Sequence, residues 1–164
     1  MTATTQNAST NDLSLRHTLA TLAYRAAKVL RDTPPEFSSF NAGGGTRSPG
    51  EILSHLCDLL DSALSQAQGS EKWNNTEPRS WKEDTDRFFA ALNALDEYLA
   101  SGAEVHKPAE QLFQGAVADA LTHVGQIAIL RRLAAAPVRP ENYSCARIAM
   151  GRTGADQPAP VAEY

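Results

Sequence analysis

The stretch DALTHVGQIAILRR, Asp119 to Arg132, decides how the chain is read. Leu121, Val124, Ile127, Ala128 and Leu130 recur at helical spacing. Asp119 and His123 fall among them, on much the same side as Ala116, Ala120, Ile127 and Leu130. Residues i and i+4 of a helix share one side, with Cβ atoms about 5–6 Å apart. A carboxylate and an imidazole therefore interrupt an otherwise apolar face. The helix that carries them is expected from about Ala109 to Ala135, stopping before Pro137.

The same periodicity gives three more helices. In the first, from Leu13 to about Arg31, Leu15, Leu19, Leu22, Ala26 and Val29 mark one face, and Pro34-Pro35 ends it. The second opens with Ser48-Pro49-Gly50-Glu51. This is a capping box, in which Ser48 accepts from the Glu51 amide and Glu51 reaches back to that of Ser48. Proline at the first helical position costs nothing there. Ile52, Leu56, Leu59 and Ala63 form the buried stripe, His55 lies beside them, and Gly69 is the stop. The third helix, from about Trp81 to Ala100, buries Phe88, Leu92, Leu95 and Leu99. The connection SEKWNNTEPRS is long enough to cross the molecule, so a simple up-down order is not dictated. The expected fold class is all-α, a four-helix bundle with an irregular C-terminal extension.

The 164 residues suffice for one domain with a proper core. The expected division is an unstructured segment 1–12, a helical domain 13–150 with a docked C-terminal segment, and a flexible tail 151–164. With 42% hydrophobic and 21% charged residues the composition is that of a globular protein. A formal net charge of −4 without a basic stripe excludes a general nucleic-acid or anionic-membrane surface. No apolar run approaches the roughly 20 residues that cross a bilayer, and the polar start resembles no signal peptide. Two cysteines, Cys57 and Cys145, make no disulfide framework. A cytoplasmic location is expected.

A metal that keeps an open position needs three protein ligands. Asp119 and His123 supply two, and His55 is the only other histidine on an inward face. Two imidazoles and one carboxylate suit many divalent-metal enzymes. A buried, hydrogen-bonded Asp–His pair is the alternative on spacing alone. His17 and His106 read as surface groups. Gln126, one turn beyond His123, can reach a ligand or substrate. Gly125 allows a close helix approach. Arg139, Asn142 and Tyr143, in VRPENY, either bind a carboxylate-bearing co-substrate or form a docked turn. AGGGTRSPG lacks the lysine and spacing of a phosphate loop.

The stretch His123 to Ile127, HVGQI, resembles the H-x-G-Q-[IL] signature of the DinB/YfiT-like superfamily. TRSPGEILSHLCDLLDSAL, Thr46 to Leu64, is similar to that family's second helix. The resemblance implies a four-helix bundle holding a divalent metal through one histidine of the second helix and two of the fourth. Here His55 and His123 match two of those positions, and Asp119 stands at the third, where histidine is usual. The resemblance further implies a metal-dependent enzyme acting on a small-molecule substrate. That enzyme would be a thiol-dependent S-transferase or isomerase, or a hydrolase, using zinc, nickel, iron or manganese and a low-molecular-weight thiol. The competing reading is a non-catalytic bundle that binds a small molecule or a partner protein, its metal site structural or a relic. The resemblance and the apolar surfaces of the second and third helices also make a homodimer the expected assembly.

Overall fold

The computed structural model describes residues 10–164 and is all-helical, with no strand among the described residues. Its long helices are α1 (Thr10–Leu30), α2 (Pro49–Ala67), α3 (Trp81–Ala100) and a fourth rod made of three parts. The rod begins as α4 (Ala109–Leu112), passes through one π-helical turn (Phe113–Val117) and continues as α5 (Ala118–Leu133). Residues 1–9 of the expected N-terminal segment lie outside the described residues, and α1 is already formed at Thr10.

Side-chain contacts fix the helix directions. Arg16 pairs with Asp96 at 2.8 Å, and the Trp81 indole donates to the Leu30 carbonyl, so α1 and α3 run antiparallel. Asp58 meets Arg87, and the Cys57 thiol donates to the Asp84 carbonyl, placing α2 parallel to α3. His55 faces Asp119 while Gln66 and Gln114 line one groove, so α2 opposes the fourth rod. Arg131 reaches the carbonyls of Val29 and Arg31, so α1 and the rod run together. The order is up, down, down, up, and residues 68–80 make the return crossing.

One core joins all four helices. The expected stripes are buried: Leu15, Leu19, Leu22, Ala26 and Val29 on α1, and Phe88, Leu92, Leu95 and Leu99 on α3. The capping box at Ser48 forms as expected. A second one, Ser80 with Glu83, starts α3. Gly69 has φ +76°, and a Cβ there would meet the His106 ring at 2.9 Å, so glycine is required at this stop.

The crossing is pinned along α2. Asp58 accepts from the Thr76 amide and hydroxyl and from Arg87, while Ser54 donates to the Thr76 carbonyl. Ser65 accepts from the Lys72 amide. Asp58 is therefore an interior hub.

The C-terminal segment departs from expectation past residue 150. Instead of leaving the domain, it folds back as a strap. Glu141 is buried and accepts from the Tyr24 hydroxyl and from Lys28, which also meets Glu163 at 2.8 Å. The Asn142 amide donates to the Ala162 carbonyl, and Thr153, buried, donates to Asn93. An ammonium as buried as Lys28 needs carboxylate partners, and one of them lies in the segment expected to be free. Met150, expected to dock, is 45% exposed.

The apolar side chains of α2 and α3 are spent on the core. The large exposed ones on the helices are Leu13, Phe113, Ile129 and Leu133. The surface ground for a homodimer therefore does not come from α2 and α3. No described helix is long and apolar enough to cross a membrane.

Burial alone would raise the Asp58 carboxyl, but the Thr76 amide, Arg87 and the Thr76 hydroxyl outweigh it and hold the group below the usual carboxylate range. A depressed carboxyl contributes stability above its unfolded pKa and loses it as pH falls through the folded value. Asp58→Asn should cost roughly 1.5–3 kcal/mol at pH 7 in denaturant unfolding. The variant should also lose less stability than wild type on acidification below about pH 4. Equal acid slopes would contradict the assignment.

Candidate metal centre

His55 sits three residues after Ile52, on the edge of the buried stripe of α2, because 3.6-residue periodicity leaves it there. Asp119 and His123 are placed by the π turn just before them. Leu112 and Val117, five residues apart, are both buried, which a regular helix does not allow on one line. The extra residue rotates the remainder of the rod, so that Val117, Ala120, Val124, Ile127 and Leu130 face the core. Asp119 and His123 flank that line on the side toward α2.

One donor atom from each of His55, Asp119 and His123 lies within 4.8 Å of the others. His55 Nε2 is 3.7 Å from Asp119 Oδ2, and His123 Nδ1 is 3.9 Å from Asp119 Oδ1. The two imidazole centres are 4.9 Å apart. These gaps are too long for hydrogen bonds. Donors about 2.0–2.2 Å from one ion stand at most about 4.4 Å apart, and each His–Asp separation, one to each carboxylate oxygen, is within that reach.

The ring nitrogens of His123 are both buried, and neither has a hydrogen-bond partner. Burial holds this imidazole below its ordinary pKa. Asp119 pulls the value up, and His55 and Arg47 push it down. The neutral ring is the form that ligates a metal. Two nitrogen donors and one oxygen fit a divalent cation, and such an ion would satisfy one of the two unpartnered ring nitrogens of His123.

Asp119 is 44% exposed and opens onto a groove between α2, the π turn and the crossing. Ser62, Gln66, Trp73, Gln114 and Thr122 line that groove with it. Trp73 stands edge-on to His55 at 5.6 Å, and its indole N–H donates to Asn75. Trp73 is a site residue that pattern reading passes over, because it lies in a polar connection. A lone exposed tryptophan among Lys72, Asn74 and Asn75 was the available signal.

The other sequence candidates are placed elsewhere. Gln126 is exposed and is not among the groove residues. Tyr143 packs edge-on to Tyr24 at 6.3 Å, with Arg25 over its ring. Asn142 caps its own 3-10 turn (Tyr143–Cys145), and Arg139 lies 3.9 Å from Glu163. These three belong to the strap on α1. Gly125 faces open space rather than a packed neighbour. Glu51 is engaged by the cap, and Cys57 is a core thiol pushed up to about 12, mainly by burial.

Family models, curated proteins and solved structures give no match to the chain.

A buried, unpartnered imidazole is destabilising when nothing binds it. In the presence of chelator, His123→Leu should raise the unfolding free energy by about 1–3 kcal/mol. Equal or lower stability would mean that the ring already has a partner within the chain.

Proposed function

We propose that His55, Asp119 and His123 hold one divalent cation and that the chain is a metal-dependent enzyme of the DinB/YfiT-like kind. The observation that carries this reading is a buried, unpartnered ring nitrogen on His123 a few ångströms from two further donors. The match of His123–Ile127 to the H-x-G-Q-[IL] signature agrees with it. Asp119 then stands where the family carries histidine, and its harder oxygen donor widens the choice among zinc, nickel, iron and manganese.

Three protein ligands leave coordination positions open, whereas structural zinc sites use four and are closed. The exposure of Asp119 to the groove supports an accessible site over a purely structural one. A bound divalent cation lowers the pKa of a coordinated thiol or water, which is the chemistry of thiol transfer, isomerisation or hydrolysis. The chain's own contributions are to keep His123 neutral by burial, to hold His55 against Trp73, and to bring a small molecule alongside through the groove.

Thermal melting with and without metal tests the reading. Zinc at about 100 times its dissociation constant should stabilise wild type by about 2.7 kcal/mol, and chelator should remove that gain. His55→Ala and His123→Ala should show no metal-dependent shift, and Asp119→His should keep one. Cysteine added to the cobalt-loaded protein should change its visible spectrum. Identical melting of all four proteins with and without metal would overturn the proposal.

A further inference from the structure

The groove beside the candidate metal centre has a chemistry of its own. Its wall from the crossing is the Trp73 indole, half exposed and oriented by its hydrogen bond to Asn75 and its edge contact with His55. Aromatic rings stack on such a face with about 0.5–1.5 kcal/mol beyond area burial. Two carboxamides, Gln66 and Gln114, line the groove as well. Gln66 donates to the Ser62 hydroxyl, which leaves its carbonyl oxygen uncommitted. Gln114, in the π turn, makes no hydrogen bond within the described residues and lines the same space.

Among the described residues that line the groove, Asp119 is the only ionisable one, and it belongs to the metal cluster. An anionic group lying along the groove would meet that carboxylate and no cationic side chain, at a cost that neutral groups do not carry. Carboxamides both donate and accept, so they match groups that do the same. Gly115, beside Gln114, has nothing within 4 Å of where a Cβ would stand, so the middle of the wall is open.

We infer that this groove binds a molecule without anionic groups, built on a flat ring that bears carboxamide or hydroxyl groups. The ring stacks on Trp73 and the polar groups meet Gln66 and Gln114. That this molecule is the substrate rests on the metal reading above; that it binds here does not.

Benzamide serves as the probe, with benzoate as its anionic counterpart, monitored by nitrogen-15 NMR of the full chain. In chelated protein, benzamide should shift the Trp73 indole N–H and the side-chain amides of Gln66 and Gln114. Trp73→Leu, at a half-exposed position, should weaken binding about fivefold or more. His123→Leu should leave it intact. Benzoate should bind more weakly than benzamide by a similar factor. The inference is overturned if benzamide moves none of the three signals, if Trp73→Leu binds equally well, or if benzoate binds as tightly. A zinc titration of the histidine signals in the same samples separates the two claims. Benzamide binding without a zinc response supports the groove assignment and defeats the metal reading, and the reverse pattern defeats the groove assignment alone.

Discussion

Two helices that run in the same direction cannot be joined by a tight turn. The chain between α2 and α3 must travel back along α2 before α3 can start. Asp58 makes that return specific. Its carboxylate takes hydrogen bonds from the crossing, through Thr76, and an ion pair from α3, through Arg87. A carboxylate this buried is tolerable only when so many donors converge on it. The same hub fixes where Trp73 lies, three residues before Thr76, and so gives His55 its aromatic neighbour. The fold's least local connection thus builds one wall of the candidate site.

Elsewhere in the interior, several buried charges are paired. Arg131 spends its guanidinium on the carbonyls of Val29, Arg31, Asp32 and Ala136, which closes the ends of α1 and α5 together. Lys28 has two carboxylates, and Glu141 has both Lys28 and Tyr24. Among the described residues, few buried side-chain polar atoms lack a partner, and two of them are the nitrogens of His123. His123 differs from Asp84, Thr85 and Arg87, each with one unpartnered buried atom, in that both of its nitrogens are idle and its ring faces a histidine and a carboxylate.

Much of the fold was legible because it rests on local rules. The α2 start was readable from Ser48 and Glu51, the α3 range from Phe88, Leu92, Leu95 and Leu99, and the inward triad from i, i+4 spacing and apolar neighbours. Ser80-Trp81-Lys82-Glu83 held a second capping box that the polar connection obscured. The π turn left no clear trace, because Leu112, Ala116 and Ala120 keep an unbroken step of four in the sequence. The strap was less legible, since Glu163 is held by Lys28 from 135 residues away, and no periodicity carries such a contact. VRPENY offered functional groups by residue type, yet Tyr143 is engaged with α1 and Asn142 with its own turn rather than with His55 and His123.

The account stands on three side chains sharing one ion, and the ring nitrogens report that most directly. A long-range nitrogen-15 spectrum of the four histidines should be recorded as zinc is added to the chelator-treated protein. The account predicts that one ring nitrogen of His55 and one of His123 move to the position of a metal-bound imidazole at one equivalent, while His17 and His106 stay where they were. Unchanged His55 and His123 signals at excess zinc, or a response confined to His17 and His106, would contradict it.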